Sequence, residues 1–201
     1  FIVRMVRDPI GGSMKRVCVI LGFGCVVFNV FGYDRCPTKN KELVKAIQEA
    51  KVKGSSISPE IEQLLCSSVW VNRKGEHGMT PLSLAAYYGQ VDTASKLIEM
   101  GSDVNTRSHN GQTPLTLAAS VSDNEGLPIV RKLLEKKADI NAQIDDGRTA
   151  LMIAAGKGNA RVVARLTWNK PNLALRDLHG HDIRWYANKS GSQEVKELIE
   201  N

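Results

Sequence analysis

The chain has 201 residues, a formal net charge of +6, 42% hydrophobic residues and only 5% aromatic ones. No arginine-rich tract or interleaved aromatic platform accompanies that modest charge, which argues against nucleic-acid binding. C-x-x-C, G-x-x-x-x-G-K-S/T and H-E-x-x-H are all missing, so no redox, phosphate-loop or zinc-protease chemistry is written here, and no nucleophile and base are assembled for a hydrolase.

Residues 1–13 precede Met14 and read as an upstream extension. Gly11-Gly12-Ser13 back-translates to a purine-rich stretch like a bacterial ribosome-binding site, an expectation that the nucleotide sequence decides. Met14-Lys15-Arg16 is followed by VCVILGFGCVVFNVFG (17–32), whose sole strongly polar member is Asn29. A basic start, an apolar run, and Val30 and Gly32 at −3 and −1 predict a signal peptide over 14–32, cleaved before Tyr33. The run is shorter than the roughly 20 residues of a spanning helix, so no stable membrane anchor is expected after cleavage. The competing readings are an uncleaved anchor, a misread start or internal hydrophobic segment, and a lipoprotein cut before Cys25, for which Gly22-Phe23-Gly24 is a poor match.

The expected destination is therefore outside the cytoplasm, periplasmic or secreted. Residues 1–32 carry +3 of the charge, leaving 23 basic and 20 acidic residues in 33–201. Cys18 and Cys25 leave with the signal, and Cys36 and Cys66 remain, the former in a short linker, 33–38. Two readings stay open for that pair. One is a disulfide tying the new N-terminus to the first unit, worth roughly 3–4 kcal/mol in the chain-entropy model; the other is a buried small Cys66 and a free Cys36.

From residue 39 the chain repeats. KELVKAIQEAKVKG (41–54) has apolar residues at helical spacing and a terminal glycine. Leu64-Leu65 through Val71-Asn72 matches Leu97-Ile98 through Val104-Asn105 one period earlier, so 39–72 is a worn first unit. Four phrases follow: HGMTPLSLAAYYGQ (77–90), NGQTPLTLAAS (110–120), DGRTALMIAAGKGN (146–159) and HGHDIRWYANKSGS (179–192). Their near-constant spacing, with one slightly longer step between the second and third, marks a stacked-repeat protein. Gly78, Gly111, Gly147 and Gly180 supply a positive φ where the chain turns back. Thr80, Thr113, Thr149 and Asp182 cap a helix start, and Pro81 and Pro114 fit its first position. The alanines keep this helix thin, and Gly89, Gly158 and Gly191 end it. Second helices are predicted in ASKLIEMGSDVN (94–105), VRKLLEKKADIN (130–141) and VVARLTWNKPNLA (162–174), with Val104, Ile140 and Leu173 closing each unit.

The G-x-T-P-L-x-x-A-A phrase resembles the heart of the ankyrin repeat, over roughly 39–201. The resemblance implies an all-α solenoid of about five helix-turn-helix units joined by β-turn fingers: 39–72, 73–105, 106–141, 142–175 and 176–201. Lys189, Gln193, Lys196, Glu197 and Glu200 suit the outer face of a terminal cap. Two departures stand out. SVSDNEGLP (120–128) is three residues longer than its counterparts, as a bulge or a neutral loop insertion. TWNKPNLA (167–174) replaces the usual glycine-and-asparagine ending, which predicts a distorted join to the following finger.

The resemblance further implies a non-enzymatic protein that binds another protein, with no cofactor, and works as a monomer. Small exported bacterial members of the family look like periplasmic adaptors or protective binders, some tied to catalase function and oxidative-stress defence. The alternative is a secreted effector acting on host proteins. In such proteins partners are held by finger tips and by the concave side of the first helices. Carried over, the tips are Lys74, Glu76, His77 and Met79; Arg107, His109, Asn110 and Gln112; Gln143, Asp145, Asp146 and Arg148; and Arg176 and His179. On the first helices the matching positions are Tyr87, Tyr88, Ser120, Val121 and Lys157. Tyr87-Tyr88 is an expected anchor, because paired tyrosines offer large contact area on an alanine-lined helix. His77, His109, His179 and His181 sit at or beside tips too far apart to share an ion at about 2 Å, so no metal is expected. The sequon Asn188-Lys189-Ser190 matters only in a eukaryotic secretory pathway.

Overall fold

The computed structural model describes residues 18–21, 24–27, 37–50 and 71–200. Within the apolar run, β1 (Cys18–Leu21) and β2 (Gly24–Val27) pair antiparallel, with Cys18 opposite Val27 and Leu21 opposite Gly24. The described part of 39–201 is all-α, in nine helices. The N-terminal one is α1 (Pro37–Ala50). After it come four pairs: α2 (Pro81–Tyr87) with α3 (Val91–Glu99), α4 (Pro114–Ala119) with α5 (Asp123–Glu135), α6 (Ala150–Lys157) with α7 (Ala160–Trp168), and α8 (Ile183–Ser190) with α9 (Gln193–Glu200). The predicted pairing of Cys36 with Cys66, and the second helix of unit 39–72, lie outside the described residues.

The first helices start where their caps put them. The hydroxyls of Thr80, Thr113 and Thr149 and the carboxylate of Asp182 each accept the N–H three residues on, from Ser83, Thr116, Met152 and Trp185. Pro81 and Pro114 follow two of these caps, where no N–H is needed. The alanine pairs 85–86, 118–119 and 154–155 are fully buried, and this lets α2, α4, α6 and α8 stack as one layer. The second helices α3, α5, α7 and α9 form the other layer. Between them lie Leu82, Leu97, Leu115, Ile129, Leu133, Met152 and Leu166, none more than 2% exposed. Each such side chain contributes roughly 1.5–3 kcal/mol, so the stack is held by many moderate contacts between neighbours.

Two amides lock neighbouring units. At the start of α3, Gln90 Nε2 donates to Ile47 O of α1 at 2.6 Å; at the start of α7, Asn159 Nδ2 donates to Ala119 O of α4 at 3.1 Å. An asparagine ladder runs along the other edge. Asn72, Asn105 and Asn141 side-chain oxygens accept from the N–H of Asp103, Asp139 and Asn172, at 2.7–2.8 Å.

Three expectations are corrected. The extra residues in 120–128 form neither bulge nor loose loop; they lengthen α5, which has 13 residues where α3 and α7 have nine. Gly126 lets this extension lie on α4, since a Cβ there would come within 2.5 Å of Ala118 O. Asp123, at its start, caps the next unit instead: its carboxylate accepts from Arg161 N and Val162 N, both at 3.1 Å. The join after α7 is not distorted either. Lys170 (φ 52°) takes the left-handed position that Gly101 and Lys137 hold elsewhere, and Asn172 Oδ1 accepts from Ala174 N as Asp103 and Asp139 do from Asn105 and Asn141. Finally, Val104 is buried and Ile140 half-buried, as expected of residues closing a unit, but Leu173 is 46% exposed.

Candidate functional site

Each finger runs directly into a first helix through the cap at Thr80, Thr113, Thr149 or Asp182, and at the last unit finger and helix line one cavity. Two backbone bonds close each finger: Gly75 N to Met79 O with Gly78 N to Gly75 O, Ser108 N to Gln112 O with Gly111 N to Ser108 O, Ile144 N to Arg148 O with Gly147 N to Ile144 O, and Asp177 N to His181 O with Gly180 N to Asp177 O. Neighbouring fingers are then stitched together: His109 N donates to His77 O (2.9 Å), Asp145 N to Asn110 O (3.3 Å) and Leu178 N to Asp146 O (3.0 Å). The tip glycines permit this approach. Gly147 has φ 85°, and a Cβ on it would lie 2.8 Å from Asp177 Cα and Leu178 N. The fingers thus form a continuous edge, which fixes the spacing of whatever side chains project from it.

Several carried-over positions are committed within this edge. An Arg107 guanidinium N–H donates to Gln143 O; Gln143 Nε2 donates to Gly147 O (2.6 Å) and Arg176 O (2.9 Å); Arg176 Nη1 donates to Gly180 O (2.7 Å). Asp146 Oδ2 pairs with Arg148 Nη2 (2.6 Å) and Nε (2.7 Å). Burial would raise the Asp146 carboxyl, but the bonds from Arg148 outweigh it and hold it below its ordinary value; the same side-chain bond holds the guanidinium above its own. Lys74, His77, His109, Asn110, Asp145 and His179 are exposed, while Met79 and Gln112 are half-buried, Met79 packing on the core. The side chain of Glu76 lies outside the described residues.

On the first helices, Tyr87 is 50% exposed and meets Tyr88 edge-on at 5.0 Å between centroids. Tyr88 is half-buried and packs on the core, so Tyr87 is the outward member of the pair. Ser120 turns its hydroxyl to Leu117 O, Val121 is half-buried, and Lys157 is exposed at the end of α6. The face therefore offers an exposed tyrosine at one end and a lysine two units on.

A second constellation was not anticipated as a group. Asp177, buried at the base of the last finger, accepts four bonds: Oδ1 from His179 N (2.9 Å) and His181 N (2.8 Å), Oδ2 from Tyr186 Oη (2.6 Å) and His181 Nδ1 (3.0 Å). Burial pushes its carboxyl up, and these bonds, led by that from Tyr186, more than reverse the effect and hold it well below the carboxylate range. Burial and the bond to Asp177 raise the Tyr186 phenol in turn. The His181 ring stacks on Trp185 at 3.8 Å, and Lys189 Nζ lies 4.6 Å from the Trp185 ring centre. An Asp–His pair is half of a nucleophile-activating triad. Here the Asp177 carboxylate ties the finger backbone at His179 and His181 to the Tyr186 hydroxyl of α8, so the pair braces the finger. Among the described residues no group of three or more His, Cys, Asp or Glu could hold a metal ion, and no helix is long and apolar enough to cross a membrane.

The family model described as ankyrin repeats (3 copies) matches residues 40–144 and 120–201. No curated protein matches the chain. The matched family consists of repeats that typically bind other proteins without catalysis.

Proposed function

The chain belongs to the ankyrin-repeat family, a protein–protein interaction module, and from that premise we propose that it is an exported, non-enzymatic adaptor or protective binder of the bacterial periplasm. The observation that supports the binding face is Tyr87: half-exposed, braced edge-on by Tyr88, and set on a first helix beside an ordered row of fingers. A rigid aromatic on a pre-ordered backbone loses little entropy on contact and suits an interface anchor. Export is supported by the sequence alone, through the basic start at Met14, the apolar run and the small residues before Tyr33.

The experiment is to recover the native protein separately from cytoplasm, periplasm and medium and to measure its intact mass and N-terminus. A periplasmic chain beginning at Tyr33 is expected. The same processed chain found in the medium would favour the secreted-effector reading. An unprocessed cytoplasmic chain would overturn export and direct the partner search to that compartment.

A further inference from the structure

Where α8 meets the last two fingers there is an open cavity of about 230 Å³. Its wall is the indole of Trp185, 38% exposed, although the equivalent residues Ser83, Thr116 and Met152 are all buried. The indole is not loose: it stacks on His181, which Asp177 anchors, and it meets Tyr186 edge-on at 5.0 Å. A large aromatic plane is thus held rigidly along an open wall.

The charges around it are unevenly engaged. Asp177 is saturated by four hydrogen bonds, and Asp146 is occupied by Nε and Nη2 of Arg148. Lys189 has no carboxylate partner among the described residues; its ammonium rests over the indole. Asp146 is thus paired with Arg148, and the acceptor positions of Asp177 are filled by the N–H groups of His179 and His181, the His181 ring and the Tyr186 hydroxyl. Among the described residues Lys189 is the lining cation without a carboxylate partner, set beside an aromatic wall.

We infer that this cavity is a binding site for a carboxylate carried next to an apolar or aromatic body, the carboxylate facing Lys189 and the body lying along Trp185. The inference goes beyond protein binding at Tyr87 and does not depend on it. A free organic acid and an acidic peptide side chain share this chemistry, and the two are separated by experiment.

The test uses the full ¹⁵N-labelled chain and the Trp185 indole N–H signal, assigned with a Trp185→Phe variant. The probes are 3-phenylpropionate, its uncharged amide, and N-acetyl-Phe-Glu-amide. Saturable shifts are expected with the acid in the millimolar range. Binding should be about three- to fivefold weaker for the uncharged amide, and weakened equally by Lys189→Gln, the size of one exposed ion pair. Lys189→Arg should retain it. Binding of N-acetyl-Phe-Glu-amide at least as tight as the acid points to a peptide side chain, and binding of the acid alone points to a small organic acid. Equal binding of acid and amide, indifference to Lys189→Gln, or no saturable shift overturns the site. Because Lys189 is exposed, a circular dichroism spectrum suffices to show that the variant is folded. None of these failures touches the Tyr87 face, which is tested through other residues.

Discussion

Replacing Asp123 by alanine should destabilise the protein by about 1–2 kcal/mol, although the side chain belongs to what the sequence shows as a three-residue insertion. Its carboxylate receives the N–H of Arg161 and Val162, both at 3.1 Å, the second and third residues of α7. The residue preceding α7, Asn159, makes no cap of its own, because its amide reaches back to Ala119 O and Val121 O. Losing a capping side chain costs about 0.5–2 kcal/mol, and a carboxylate at a helix N-terminus adds about 0.3–1 kcal/mol by its charge. With a urea slope of roughly 2 kcal/mol/M, the unfolding midpoint followed by far-UV circular dichroism should fall by about 0.5–1 M. Asp123→Asn keeps an acceptor and loses the charge, so its smaller deficit should shrink in about 0.5 M salt. A midpoint for Asp123→Ala equal to that of the parent would refute the cap across units.

Gly180→Ala, at φ 81° with nothing within 4 Å of the added Cβ, should incur only the left-handed backbone penalty. That penalty is roughly 1–2 kcal/mol. Gly147→Ala should lose more, since its Cβ would also clash with the backbone of Asp177 and Leu178. Equal losses for the two variants in urea unfolding would contradict the stitched finger row. Because the folded-state pKa of Asp177 is depressed, its stabilisation is complete above the unfolded value near 4 and is lost as pH falls below it. Asp177→Asn should therefore flatten the acid limb of stability between about pH 5 and pH 2, as read by thermal unfolding at each pH. Tyr87→Ala should leave stability within about 0.5 kcal/mol yet weaken partner binding about tenfold or more by calorimetry.

The stack was legible because its rules are local. A cap at Thr80 or Thr113, a proline after it and a buried alanine pair lie close together in the chain, and the period carries them from unit to unit. What stayed hidden depends on contacts between units. Gln90 and Asn159 differ in length and follow helices of different composition, yet each ties its unit to the carbonyls of the one before. Lys137 and Lys170 hold left-handed positions that sequence reasoning reserves for glycine, so the ending after α7 looked broken when it was intact. The cluster around Asp177 was missed for a similar reason. His181, Trp185 and Lys189 read singly as a turn residue, a helix position and a polar cap, and the fold alone stacks them. The one available signal was an indole at a position filled by Ser83, Thr116 and Met152 in the inner units.

The central claim, that the face of fingers and first helices holds another protein, is tested most directly by a photo-reactive residue placed at Tyr87 and, in a separate variant, at Arg131 on α5. Both positions are exposed and lie in different helix layers. Irradiation in the producing cells should give one discrete protein adduct from position 87, suppressed by excess unmodified protein, and none from position 131. Equal adducts from both positions, or none from position 87, would contradict the account.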